Sequence, residues 1–562
     1  MQLLPSLPTV LLLSVLAPHA KGQSPAAAIV KFSSGSITGN SALGVESFNA
    51  IPYAEPPIGP LRLRPPQRLT GTLGNRDGRI VAPGCPQMFF SSTATDILGA
   101  VGGSVLKIPL LQNIIGQEDC LTVNVQRPAG TKSDAKLPVL FWIFGGGFEL
   151  GATNTYDATA LLAQAARQGQ PFIFVAVNYR TGGFGFMPGS EILQNGSANL
   201  GLLDQRMGLE WVADNIAAFG GDPDKVTIWG ESAGSISVFS QMALYGGNAT
   251  YKGRPLFRGA IMNSGTMVPA DPVDCPKGQV VYDTVVKHAG CDSAGDTLNC
   301  LRELDYHKFL DAATSVPGML SYTALALSYL PRPDGYVLPD SPDVLCRTGR
   351  FHQVPFIVGD QEDEGTLFAL FTGNITTTDK LVDYLSDFYF HSATKDEIRA
   401  WVNTYSSSIV DGSPFRTGIL NELYPGFKRN AAFLGDYVFT LMRRNFLQIT
   451  AEAYTDLPTW SYLASYDWGT PIMGTFHTSD ILQLFYNILP SNAADSARTY
   501  YYNFLYNLDP NRGVTTHKTW PQWKENKQLM WFKGIFGNDL LTDDFRADAS
   551  KFLGNHTNSF RI

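Results

Sequence analysis

Short, mostly apolar runs recur along this chain at wide intervals. Pro138–Phe144 (PVLFWIF), Phe172–Tyr179 (FIFVAVNY), Val226–Trp229 (VTIW), Gly259–Met262 (GAIM), Val354–Val358 (VPFIV) and Trp460–Tyr466 are rich in β-branched and aromatic residues. Runs without clean polar alternation predict strands covered on both faces. Between two of them the period changes: Leu202, Met207, Trp211 and Ile216 recur at helical spacing within Asn199–Phe219. A helix there supplies the crossover that parallel neighbours require. The expected architecture is α/β, a large and mostly parallel central sheet with helices on both faces.

The first apolar run, around Val10–Leu16, is too short to span a bilayer and leads into small residues at Ala20–Gly22. This is the pattern of a cleaved signal peptide over residues 1–22, although no Lys or Arg precedes it. No later stretch reaches the roughly 18 uninterrupted apolar residues of a membrane span. The expected location is therefore extracellular, with residues 23–562 forming one large domain.

Composition then narrows the function. Of 562 residues, 44% are hydrophobic and only 16% charged, which supports a substantial core. A net charge of −8 with no dense basic run argues against nucleic-acid binding. Six cysteines form an even set, so disulfides are expected in an oxidising compartment. None shows CxxC spacing and no histidine cluster accompanies them, so neither a metal site nor a cofactor is expected. Sequons at Asn195, Asn248, Asn374 and Asn555 fit the same compartment.

The segment Val226-Thr-Ile-Trp-Gly-Glu-Ser-Ala-Gly-Ser235 carries the chemistry. Gly-x-Ser-x-Gly is common by itself, but here it follows an apolar strand and precedes the helix-compatible run Ser235–Leu244. That context makes Ser232 a candidate nucleophile, exposed on a strand-to-helix elbow. A tetrahedral intermediate also needs donors for its oxyanion. Gly145-Gly-Gly-Phe148 directly follows the strand ending at Phe144, and the N–H groups of Gly146 and Gly147, with that of Ala233, form the expected hole.

The acid and base should follow in the order Ser, acid, His. Seven histidines lie after Ser232, and His477, in a loop after the Trp460–Tyr466 strand, is the favoured base. The acid is sought in Gly359-Asp-Gln-Glu-Asp-Glu-Gly365, whose four carboxylates are Asp360, Glu362, Asp363 and Glu364. Spacing does not rank them.

These segments, with Phe48-Asn-Ala-Ile-Pro-Tyr-Ala-Glu-Pro-Pro-Ile-Gly59, Glu118-Asp-Cys-Leu-Thr-Val-Asn-Val125 and Gly474-Thr-Phe-His477, resemble the type-B carboxylesterase/lipase family. Within it, the chain is similar to the fungal Candida-rugosa-like lipases and sterol esterases, over essentially all of residues 23–562. The resemblance implies an α/β-hydrolase fold with a disulfide-tethered lid. It implies Glu364 as the acid, His477 as the base, and disulfides Cys85–Cys120 and Cys291–Cys300. Cys275 and Cys346 fall outside that pattern and stay open.

The family places its lid within 86–119. Here that segment carries Phe89, Phe90, Ile97, Leu98, Val101 and Leu106, with Lys107 as its sole basic residue. Such a flap would cover an apolar site when closed and meet a lipid–water interface when open. It leaves room for self-association, while no stable protein partner is expected. The implied function is that of a secreted serine hydrolase cleaving long-chain fatty-acid esters, triacylglycerols or sterol esters, through an acyl-enzyme. The alternatives are a general carboxylesterase for shorter esters, a serine peptidase and a non-catalytic adhesion module.

Overall fold

A computed structural model describes residues 27–88, 114–486, 490–534 and 537–562. The signal segment and most of the flap, residues 89–113, lie outside the described residues. Each apolar run becomes a strand of one sheet. These are β6 (Leu137–Ile143), β7 (Ile173–Val177), β8 (Gly221–Glu231), β11 (Gly259–Asn263), β12 (Phe356–Gln361) and β13 (Thr459–Ala464). Every residue of β7, β11, β12 and β13 is buried, as cover on both faces requires.

The sheet is larger than the apolar runs alone predict. An N-terminal group adds β1 (Ala28–Phe32), β2 (Gly35–Ala42), β3 (Val45–Pro52), β4 (Gly74–Asp77) and β5 (Thr122–Pro128). At the other end stand β14 (Gln528–Phe532) and β15 (Asp539–Thr542), while β9 (Thr250–Tyr251) and β10 (Arg254–Pro255) form a separate hairpin. The order is β1-β2-β3-β5-β7-β6-β8-β11-β12-β13-β14-β15, with β4 beside β2. From β7 to β14 all pairs are parallel, and the outer pairs through β3, β5 and β15 are antiparallel. The sheet is thus mixed, parallel where it carries the candidate site.

The expected crossover forms as helix Leu200–Asn215 with a 3-10 turn at Ile216–Phe219. Arg180, after β7, ties to it through the buried Asp204 at 2.7 Å. Disulfides join Cys85 to Cys120 and Cys291 to Cys300. The first joins the two ends of segment 86–119, where Gly84 and Gly116 also bridge. Cys275 and Cys346 are separate buried thiols. All four sequon asparagines are exposed.

Beyond β12 the sheet is pinned by a buried charge cluster. Arg443 donates to Asp360 (2.7 Å), to Ser461 on β13 (3.0 Å) and twice to Asp543 after β15 (2.8 and 2.9 Å). All three charged side chains are inaccessible to solvent. Removing Arg443 leaves Asp360 buried without its cation, while Asp543 keeps Arg444 at 2.7 Å, and breaking a buried ion pair typically costs about 3–5 kcal/mol. Arg443→Met should therefore lower the urea midpoint of unfolding strongly. A midpoint close to wild type would show that the cluster contributes little to holding these strands.

Candidate active site

The elbow is built by what its glycines lack. β8 ends at Glu231, Ser232 caps helix Ala233–Ala243, and Ser232 sits at φ 58° and ψ −126°. A Cβ on Gly230 would stand 2.3 Å from the Gly234 carbonyl oxygen, and one on Gly234 would stand 2.0 Å from that of Ile143 on β6. Both positions exclude any larger residue. The Ser232 N–H donates to the Asn263 carbonyl at the end of β11 (2.9 Å), which fixes the turn against its neighbouring strand.

The structure brings Ser232, His477 and Glu364 into one relay. His477 Nε2 lies 2.8 Å from Ser232 Oγ, and His477 Nδ1 lies 2.5 Å from Glu364 Oε2. The other carboxylate oxygen of Glu364 accepts from Ser264 Oγ (2.5 Å) and the Gln361 N–H (2.7 Å). The rings of Phe368 and Phe439 flank the imidazole, with centroids 5.3 and 4.5 Å away. Of the seven histidines after Ser232, all among the described residues, His477 alone reaches the serine hydroxyl.

The turn after β12 separates its four carboxylates. Asp360 pairs with Arg443, Glu362 with Arg416 (2.7 Å), and Asp363 with Ser413 and two backbone amides. Glu364 alone faces the imidazole. Gly365 follows it because helix Phe427–Gly435 crosses there, and a Cβ would lie 1.9 Å from the Ala431 carbonyl oxygen.

Two further buried carboxyls were not legible in advance. Glu231 lies 3.6 Å from His477 Nε2, and neither of its oxygens has a hydrogen-bond partner among the described residues. Burial, with the charges of Asp480 and Glu364, pushes its carboxyl well above the ordinary range. Glu149, at the end of the glycine loop, accepts from the Met319 N–H at 2.7 Å, and burial pushes its carboxyl up to about 8.

Gly147, Ala233 and Ser232 line a common cavity whose other walls include Met319, Leu327, Phe439 and Ile562. Gly146 lies one residue back, with its carbonyl accepting the Glu149 and Leu150 N–H groups (3.0 and 3.1 Å). Gly146 and Gly147 both have positive φ, 113° and 62°. A wider surface cleft near Thr376, Tyr424 and Arg429 contains none of the predicted site residues. Among the described residues no group of three His, Cys, Asp or Glu side chains is placed to hold a metal ion. No described helix is long and apolar enough to cross a membrane.

A serine on a glycine-flanked elbow, at the end of a central parallel strand with a histidine and an acid beside it, defines the α/β-hydrolase class. The chain belongs to the carboxylesterase family, whose profile matches residues 26–534, and is a carboxylic ester hydrolase. It is 64% identical to the secreted triacylglycerol lipase LIP1 of Gibberella zeae over 521 residues, 92% of this chain and 89% of that one. Lipase 5 of Diutina rugosa is 46% identical over 494 residues, 88% of each chain. The crystal structure of Aspergillus niger EstA is similar with a TM-score of 0.80 at 25% identity, covering 96% of this chain and all of that one.

Glu149 yields a pH test. Its folded pKa of about 8 exceeds the ordinary 4.5, so its favourable contribution is complete below 4.5 and is lost as pH rises through about 8. Glu149→Gln removes that titration. The melting temperature of the variant relative to wild type should therefore rise between pH 5 and pH 8 and level off above. Parallel melting curves across that range would exclude a buried, titrating Glu149.

Proposed function

We propose that this chain is a secreted lipase that hydrolyses long-chain fatty-acid esters, triacylglycerols or sterol esters, through an acyl-Ser232 intermediate. The observation that carries this reading is the relay Ser232–His477–Glu364 opening onto an apolar cavity. In it, His477 Nε2 takes the Ser232 proton as Oγ attacks the ester carbonyl carbon. The resulting oxyanion is held by the N–H groups of Gly146, Gly147 and Ala233. Glu364 fixes the ring through Nδ1 and balances its positive charge. The imidazolium then protonates the departing alcohol, and water repeats the sequence to release the acid.

The apolar wall suits an acyl chain, since each buried methylene contributes about 0.8 kcal/mol. The apolar segment 86–119 acts as the lid that meets the lipid–water interface, rooted at Cys85–Cys120. Residues 1–22 are removed as a signal peptide, residues 23–562 act as one catalytic domain, and the exposed sequons at Asn195, Asn248, Asn374 and Asn555 carry glycans. Export of relatives named as secreted lipases supports the same route for this chain.

The test compares hydrolysis of emulsified triolein, cholesteryl oleate and p-nitrophenyl butyrate, with Ser232→Ala as the blank. We expect preference for the two oleates, a rate jump when substrate passes its solubility limit, and a loss of about 10⁶-fold in kcat for the variant. Equal rates on soluble butyrate with no jump would instead mark a general carboxylesterase. Wild-type activity in Ser232→Ala would remove the nucleophile assignment.

A further inference from the structure

We propose that Asp363 is a positioning residue for His477, an acceptor-only clasp that holds the histidine loop against the turn carrying Glu364. The inference rests on the catalytic reading of Ser232, His477 and Glu364.

Asp363 is 1% exposed, and its carboxylate is surrounded by donors. Oδ1 accepts from Ser413 Oγ (2.8 Å) and from the Phe415 N–H (2.8 Å), and Oδ2 accepts from the Thr475 N–H (2.9 Å). The backbone reciprocates, since the Asp363 N–H donates to the Thr475 carbonyl at 2.9 Å, and Asp363 bridges to Phe476. Thr366 adds a bond from its hydroxyl to the Met473 carbonyl (2.8 Å). Residues 473–476, which lead directly into His477, are thus fastened to the turn that presents Glu364.

Burial and the neighbouring Glu362 charge push the Asp363 carboxyl up to about 7, and the three donors oppose that shift; two features of the geometry fit a carboxylate here. Gly474 sits at φ +59°, and a Cβ there would stand 2.1 Å from Asp363 Oδ2, so the carboxylate occupies the space a side chain would need. In addition, all three hydrogen-bonding partners are neutral donors. The charged groups packed nearby are engaged elsewhere. Glu362 pairs with Arg416, and Lys428 Nζ donates to Thr417 Oγ1 and the Gly418 carbonyl. An amide at this position must aim its NH₂ at one of the N–H donors, opposing donor with donor. The adjacent carboxylates therefore divide one task. Glu364 orients the imidazole ring, and Asp363 locates the loop from which the ring hangs. A displacement of about 1 Å in a reacting group can cost 10²-fold in rate.

The test is Asp363→Asn in the full-length enzyme, assayed on p-nitrophenyl butyrate beside wild type and Ser232→Ala. We expect kcat to fall by about 10- to 100-fold with KM within about twofold. The far-downfield proton resonance of the His477–Glu364 hydrogen bond should shift or broaden, which loss of stability alone would not produce in the folded variant. If Asp363→Asn does not fold, Gly474→Ala, which keeps the charge but forces the loop away, should give the same kcat loss and spectral change. Wild-type kcat with an unshifted resonance in whichever variant folds overturns the proposal. Activity surviving in Ser232→Ala would instead fault the catalytic reading on which it rests.

Discussion

The backbone of Ser232 is the constraint on which the rest of this structure depends. A non-glycine residue at φ 58° and ψ −126° is strained by about 1–3 kcal/mol. It persists because three strands over-determine it. β6 approaches Gly234 through the Ile143 carbonyl, β8 delivers Gly230 beneath the helix, and the end of β11 takes the Ser232 N–H. The first two are backbone approaches that only a missing Cβ permits and the third is a backbone hydrogen bond, so none tolerates a shift of a strand by one residue. The parallel core from β7 to β14 therefore serves as a jig for one dihedral pair.

Electrostatics add a second constraint. Glu231, Glu364 and Asp480 all lie within the influence of His477, and three bare carboxylates so close in a dry interior would repel one another. The structure assigns them different environments. Glu364 receives a hydroxyl, a backbone N–H and the imidazole. Asp480 receives the side-chain amide of Asn263 at 2.7 Å and the Ile481 N–H at 3.1 Å, and is pushed up to about 6, chiefly by burial. Glu231 receives no hydrogen bond among the described residues, and its carboxyl is pushed well above the ordinary range, chiefly by burial. Glu364, the carboxylate that touches the ring nitrogen, thereby receives the most hydrogen-bond partners of the three.

Sequence patterning revealed the parallel centre of the sheet because those strands are buried on both sides and must be apolar throughout. It passed over β5 for the opposite reason. Asn124, Gln126 and Arg127 look like loop residues, yet all are buried, because Asn124 accepts the Ala50 N–H, Gln126 reaches Ser47 and Asp157, and Arg127 pairs with Glu46. Partial exposure of β1 and β2 breaks the apolar signal in the same region. In the site, the elbow and the glycine loop were legible because close backbone approach demands glycine. The choice among Asp360, Glu362, Asp363 and Glu364 was not, since their side-chain partners come from segments 50 to 113 residues away along the chain. Ser264, Phe368, Phe439 and Ile562 carry no local mark at all, and their place in the site follows from folding alone.

The same logic explains why Glu149 is buried without a full set of partners. Its carboxyl takes the Met319 N–H from the cavity wall, while its backbone carbonyl takes the N–H of Met88 (3.0 Å), three residues beyond the disulfide-bonded Cys85. Its own N–H returns to the Gly146 carbonyl in the glycine loop. One residue thus joins the glycine loop 145–147, the wall of the apolar cavity and the chain next to the Cys85–Cys120 disulfide through three hydrogen bonds shielded from water. An apolar side chain of similar size would pack there without a desolvation cost, but it would leave the Met319 N–H buried and unpaired. The acid is accommodated because burial pushes its carboxyl up to about 8, so near pH 7 it still accepts that bond without placing a second charge beside Gly146 and Gly147.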